Sequence, residues 1–568
     1  MNEYDETLAP PEPPSVPVRH TSPRPAMRRE GRVFSRLKDS LQRLAFGNSL
    51  YDFSLSSAPE ETLRLVPPDP WPGEARLGSD LVQGIHRFAG QIKQYEVPDW
   101  FPTGVCPKFV AELHSFDWLR DLRALGGDIA RRHARFMMRN WMEQNSVWNP
   151  VAWEPVTLSR RLSNWLAMYD CFCTSADDEF RAMVMDSLKR QSRHLSRIYQ
   201  TVPKGAGRFT ALKGLFYSGV CMAKGETRLA LALKLLGPEL NSQILADGGH
   251  ISRNPSTHVQ ALRDLIDIRT ILSAGAHEVP EKLQHAIDRM TPALRFFRHG
   301  DGNLALFNGA REEPQALIDA ILSQSDAKGK PLKSMTHSGY ERITAGRTCI
   351  LFDGGKAPAA PFDGTMHAAP LSFEMSVARD RLIVNCGAHP ITFTGWRKAM
   401  GATAAHSTLT LNDTNALELT DTGVGRKPPS TTCTRQEEGG ASWVEGQHDG
   451  YDAHFHTTHY RRIYVADGGE DVRGEDMLEG PAGYNFTVRF HLHPNVQASL
   501  IQQGAAVLLA TPSGLGWRFR ASGGNITLEE SLYVGRGDEP RRTLQIVVTG
   551  QTAPDSTTVK WALQREKK

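Results

Sequence analysis

The spacing of apolar residues changes once along this chain, and that change constrains its architecture more than any other feature. From about residue 80 to 325 apolar side chains recur at helical spacing, with breaks at proline and glycine. Beyond the charged, glycine-containing passage Asp326–Lys333 the period becomes two. In Tyr484–His493, Tyr484, Phe486, Val488, Phe490 and Leu492 point one way, and Asn485, Thr487, Arg489, His491 and His493 the other. Leu371–Val377 alternates likewise, and Arg381–Gly387, His406–Asn412, Ala505–Thr511, Ile526–Val534 and Thr543–Thr549 continue the pattern between Asp/Asn/Gly turns. A chain of 568 residues exceeds one compact core. The reading is a multidomain α+β protein: a tail and terminal helix over 1–45, a helical domain over 46–330, and an antiparallel β-sandwich over 331–568.

Within the helical part, Leu229, Leu231, Leu233, Leu235 and Leu236 predict a buried helix that Gly237-Pro238 stops. No fixed period supports a solenoid. In the proline-rich first segment, Val33, Phe34, Leu37, Leu41 and Leu44 share a helix side opposite Arg32, Arg36, Lys38 and Arg43. Residues 31–46 therefore read either as a helix docked on its own domain or as a peripheral contact with an anionic membrane.

A net charge of +3 argues against a nucleic-acid binder driven by a broad basic surface. The seven cysteines contain no CxxC pair, so neither a disulfide framework nor a cysteine zinc site is expected. The N-terminal sequence lacks a charged start followed by an apolar run, which predicts a cytoplasmic location. Neither a phosphate-binding G-x-x-x-x-G-K loop nor a GxSxG elbow occurs.

The densest concentration of chemistry is Ile244–Leu265, ILADGGHISRNPSTHVQALRDL. Gly248-Gly249 permits a turn, Asn254-Pro255 reads as a cap and first helical position, and Val259, Leu262, Leu265, Ile266 and Leu272 give the helix an apolar side that ends near Gly275. His250, Arg253, Asn254 and His258 thus gather at a helix N-terminus, which favours an anion. The plainer reading is ordinary loop and cap residues with Arg253 in an ion pair.

Asp247–His258 (DGGH-x-x-R-x-P-x-x-H), Gly300–Ala310 (GDG-x-x-x-x-F-N-G-A), Ala405–Asp413 (AHSTLTLND), His448–Tyr451 (HDGY) and Thr458–Arg462 (THYRR) occur in an order that resembles the heparinase II/III family of polysaccharide lyases. The resemblance implies an incomplete α/α toroid joined to an antiparallel β-sandwich, a uronate-containing acidic glycan as substrate, and cleavage by β-elimination. It also implies a cell-envelope or periplasmic location as the alternative to the cytoplasm. Residue by residue it assigns His250 and Arg253 to neutralising the substrate carboxylate, and His406 to proton abstraction or to assisting a tyrosine. Family lyases carry a tyrosine some fifty-five residues after the toroid histidine, where this chain reads GDGNLALFNGA. Tyr217, Tyr340 and Tyr451 are the candidate replacements, each equally readable as a packing residue.

Expected substrate contacts are Asn254, His258 and Tyr451, together with Arg161, Asn164 and Trp165 from the run that also holds Trp148, Trp153 and Arg160. Core aromatics and surface arginines are the competing explanation for that run. No cofactor is required, and a structural zinc is conceivable among His448, Asp449, His454, His456, His459, His491 and His493. Two other functions fit the same sequence. One is a non-catalytic glycan-binding or envelope-associated protein; the other is a glycoside hydrolase, for which Asp247, Glu143 and Glu154 are available carboxylates.

Overall fold

The computed structural model describes residues 42–56, 62–390, 394–536 and 539–566. Helices dominate as far as Gln315–Gln324, and the first strand of the β half is Ser334–Met335. Residues 31–41 of the basic segment lie outside the described residues; residues 42–46 are helical, with Leu44 exposed. Among the described residues no helix is long and apolar enough to cross a membrane.

Local chemistry accounts for most of the helix boundaries. Asn254 accepts the Thr257 N–H (3.0 Å) and Pro255 opens the helix Pro255–Ala274, which ends at Gly275 as the sequence predicts. Two expectations are corrected. The helix over Leu229–Leu236 runs from Glu226 to Gln243, straight through Pro238. Pro238 is exposed, so water can take up the carbonyl that its missing N–H abandons. Beyond it, Glu239 is anchored by Arg208 (2.6 Å) and Gln243 (2.9 Å). Nor is this helix buried all round: Leu229, Ala232 and Leu236 are buried, while Leu233 faces solvent. The helical half also contains a hairpin, Ile85–Phe88 with Gln91–Gln94, turned by Ala89 and Gly90 at φ of 48° and 78°.

The β half is two packed sheets whose strands all pair antiparallel. The outer sheet has eight strands, with Ser556–Arg565 and Asp471–Glu479 at its centre; the inner one has nine, with Asp380–Val384 and Phe373–Val377 at its centre. Phe486, Val488, Phe490 and Leu492 enter the core as the alternation predicts. Phe373 of the inner sheet stacks on Trp561 of the outer one at 5.5 Å and 8°, a pairing worth about 1 kcal/mol beyond its burial. Gly474 lies directly opposite Trp561, where any Cβ would enter the indole.

The two halves share one apolar interior. Met335, Tyr340, Cys349 and Leu351, all from the first strands of the sandwich, belong to the core of the helices. Polar latches surround this joint. Arg342 donates to the carbonyls of Phe296 (2.7 Å) and Arg298 (2.8 Å), and His299 bridges Ser376 (2.9 Å) and Glu374 (2.8 Å). Gly300 packs so closely on the Ala378 carbonyl that a side chain there would collide with it.

Candidate active site

The His250 segment is folded inward. Ser252 N–H donates to His250 Nδ1 (3.1 Å), so Nδ1 carries no proton and Nε2–H donates to Gln243 Oε1 (3.1 Å). The Ser252 hydroxyl adds a second bond to Nδ1 at 2.8 Å. Both ring nitrogens are therefore occupied, and burial, reinforced by His258, pushes the imidazole down to about 3. His258 donates from Nε2 to the Met290 carbonyl (2.9 Å), and burial holds it at about 4.

Arg253 turns from the helix N-terminus toward the sandwich. At a φ of 57° its guanidinium lies over the Tyr340 ring (4.7 Å), donates to the Ser338 carbonyl (2.6 Å) and pairs with Asp353. Burial alone would lower its pKa, but Asp353 and Tyr340 more than offset this and raise it. Asp247 ties the same joint by accepting Ser338 N–H (2.6 Å) and Oγ–H (2.9 Å). His250 and Arg253 thus sit within the domain joint, and His406 lies elsewhere, on the β side.

The accessible site is a cleft of about 680 Å³ between the two halves. Lys108, Glu112, Arg160, Thr210, Asn254 and Gln260 line it from the helices; Thr365, His367, His389, Trp396 and Arg397 line it from the β half; Arg311, Glu312 and Glu313 lie between. Four basic side chains face three carboxylates. Of these, Glu312 is held by Arg381 (3.2 Å) and by the Tyr533 hydroxyl, while burial raises the Glu112 and Glu313 carboxyls above the usual range. Arg397 donates to the Gly364 carbonyl (2.5 Å), and its buried Nε and Nη2 have no acceptor among the described residues. Trp396 stacks on His389 at 4.2 Å and 10°.

Behind this wall His406 is buried. It does not lie in a strand, as the alternation predicts; it follows the 3₁₀ turn Thr403–Ala405 and precedes the short strand Leu409–Leu411. Its Nδ1 bonds the Ala402 carbonyl (2.8 Å) and its Nε2 meets Nδ1 of His367 at 2.9 Å. Burial is the main cause of its low value, about 4, which the Ala402 carbonyl and Glu374 partly offset. His367 is driven well below the ordinary histidine value by burial, then by His406 and Arg397.

Of the expected substrate contacts, only Asn254 lines the cleft, with its Nδ2 donating to the Asn308 carbonyl (2.8 Å). Arg161 is fully buried over Trp141 (4.0 Å) and donates to Gln191 (2.9 Å) and to the carbonyls of His114 (2.9 Å) and Ala152 (2.8 Å). Asn164 donates to the Ser115 carbonyl (2.9 Å) and Asp117 (2.8 Å), and Trp165 packs edge-on to Trp141 and Phe116. Tyr451 is buried in the sandwich, its hydroxyl donating to the Leu409 carbonyl (2.8 Å). Tyr340 is equally closed: it donates to the Arg253 carbonyl (2.7 Å) and accepts from Asn308 (2.7 Å). Tyr217 is buried in the helical core. Among the hydrolase carboxylates, Asp247 serves the joint and Glu154 caps a helix at Thr157 (2.8 Å).

Apart from Asn254, and Arg160 in the run read for substrate contacts, the residues that line the cleft lie outside the sequence-derived set. Arg160 was detectable, since Leu158, Leu162 and Trp165 mark the core side of its helix and Arg161 falls among them. Asn308 could be suspected from the Asn-Gly turn pair, which takes φ of 52° and 84°. His367 and Arg397 lie in segments without periodicity and carry no such signal. Among the described residues, no group of three or more His, Cys, Asp or Glu side chains is arranged to hold a metal ion. His448, His459 and Asp476 do form a buried chain (3.1 and 2.8 Å), but Arg461 already donates to both oxygens of the carboxylate, at 2.7 Å to the one His459 meets and 3.1 Å to the other.

An open ring of helices facing an antiparallel sandwich across a charged cleft defines a toroid-plus-sandwich protein of the polysaccharide-lyase type. Residues 122–327 match the family described as "Heparinase II/III N-terminus" and residues 327–562 the one described as "Heparinase II/III-like, C-terminal". The chain belongs to the heparinase II/III-like family. It is 31% identical over 557 residues to FtsZ-localized protein C of Caulobacter vibrioides, covering 92% of this chain and 94% of that one. The fold is that of a crystal structure of heparinase III (TM-score 0.68, 14% identity, 83% of this chain and 80% of that one). Heparan sulfate lyase HepC from Pedobacter heparinus shares it too (TM-score 0.58, 16% identity, 91% and 88%).

Proposed function

We propose that the protein is a polysaccharide lyase that cleaves a uronate-containing glycan by β-elimination in the cleft between toroid and sandwich. One observation carries this reading: Arg397, with two guanidinium nitrogens that have no acceptor among the described residues, lines the same wall as the His367–His406 pair. Elimination needs a donor that neutralises the C5 carboxylate and, next to it, a group that removes the C5 proton. Lys108 and Arg160 across the cleft would hold neighbouring anionic groups. His250 and Arg253 would support this chemistry from the joint, by holding the two walls in register.

The competing reading is a protein that binds the glycan without cleaving it. Two observations favour it. The hydroxyls of Tyr340 and Tyr451 are engaged inside the protein, and the chain resembles, over nearly its full length, a relative named for its localisation with FtsZ. On that reading the basic segment 31–46 would contact an anionic membrane surface, and the envelope would be the place of action. Ultraviolet absorbance of purified protein with heparan sulfate, chondroitin, alginate and polyglucuronate separates the two. A rise from the new C4–C5 double bond is expected; tight binding with no rise for every polymer would leave only the binding protein.

A further inference from the structure

The two rings of the His367–His406 pair are not equivalent, and their protons can be placed. The Ala402 carbonyl has no proton to give, so His406 Nδ1 carries one and donates it (2.8 Å). In the neutral ring His406 Nε2 is then a bare acceptor, and the 2.9 Å contact requires His367 Nδ1 to be the donor. The remaining nitrogen of neutral His367 is Nε2, which bears a lone pair. His367 lines the cleft, and its Nε2 has no hydrogen-bond partner among the described residues. The backbone holds the ring in place, because the His367 N–H donates to Asn308 Oδ1 (3.3 Å).

We propose that His367 Nε2 is the atom that accepts the C5 proton of the substrate, and that His406 is a positioning residue that fixes its tautomer. This rests on the lyase reading above. In the step, Nε2 takes the C5 proton, the C5–H electron pair becomes the C4–C5 double bond, and the C4–O4 bond breaks with its pair on O4. The departing oxygen takes a proton from water at the cleft mouth, and the imidazolium returns its own to solvent, so no water is consumed. His367 Nδ1–H keeps its bond to His406 throughout.

The surroundings make this base responsive to the substrate. Arg397 disfavours a proton on His367, whereas Glu374 favours one on His406. Lys108, Arg160, Arg311, Glu112 and Glu313 face the pair from the other elements of the cleft. A substrate carboxylate seated on Arg397 cancels the repulsion from that guanidinium and adds an attraction of its own, raising the basicity of Nε2 when the C5 proton is within reach.

The test uses the full chain, with heparan sulfate, chondroitin, alginate and polyglucuronate as probes. His367→Asn keeps an N–H near the Nδ1 position, and so the bond to His406, but removes Nε2. Its kcat should fall by about 10²–10⁴ with KM little changed. His406→Gln, which retains an acceptor, should keep part of the rate and displace the pH profile of kcat/KM. A second readout needs no variant. Diethyl pyrocarbonate acylates only an unprotonated, reachable imidazole nitrogen, so His367 should remain reactive at a pH where exposed histidines have become protonated and unreactive. The polymer that is cleaved should protect it. Exposed His277 and His285 calibrate the reagent. Elimination that survives His367→Asn overturns the assignment and leaves the lyase reading standing; absence of elimination with every polymer overturns both. A His367 that stays unmodified at neutral pH overturns the assignment by itself.

Discussion

His250 and His367 are both buried histidines next to the boundary between the two halves, yet one is closed and the other open. Every nitrogen of His250 is taken by Ser252 or Gln243, whereas His367 spends one nitrogen on His406 and faces the cleft with the other. A histidine within a recognisable motif can therefore serve the joint, while one in a segment without pattern faces the site. Hydrogen-bond saturation, rather than motif membership, separates the two.

The comparison can be broken most strongly at the joint itself. Arg253→Met leaves Asp353 as a buried carboxylate without its cation, and about 3–5 kcal/mol of stability should be lost in denaturant unfolding. A loss below about 1 kcal/mol would show that the joint does not depend on this pair. His250→Ala should cost about 1–3 kcal/mol from the groups left unpaired around it. Glycan affinity per folded molecule should be unchanged; a drop with stability intact would place His250 in the cleft chemistry after all.

Acid provides a third handle. His250 at about 3 and His406 at about 4 lie below the ordinary 6.5, so the unfolded chain binds more protons. Stability from each is complete above pH 6.5 and is lost as pH falls toward the folded value, by at most about 1.4 kcal/mol per pH unit per proton. Bound polyanion should blunt this loss at the open pair and leave the closed site unaffected, so His250→Gln should still flatten the acid slope in its presence. The smallest effect is expected from Arg160→Ala on the helical wall. Stability should stay within about 0.5 kcal/mol while glycan binding weakens and loses part of its salt dependence. An unchanged salt dependence would remove Arg160 from the binding surface.

Much of the fold was legible because periodicity and capping are local. The Asn254 cap, the Gly275 stop and the alternating strand Asn485–Leu492 all follow from neighbours in sequence. The path through Pro238 was not, because it depends on Glu239 being held by Arg208, thirty-one positions away. The site was legible only in part for the same reason. Helical spacing distinguishes Arg160 from Arg161, but nothing near His367 announces a partner thirty-nine residues along the chain.

The shared apolar interior at the joint also sets an order of events during synthesis. The helices leave the ribosome with a seat that Met335, Tyr340, Cys349 and Leu351 must fill, and those residues follow all the helices of the toroid in the chain. Until they arrive, at roughly 5–20 residues per second, the nascent ring exposes apolar surface to chaperones or to other nascent chains. A chain cut near residue 330 would keep that surface permanently, so the helical half is expected to be sticky when made alone.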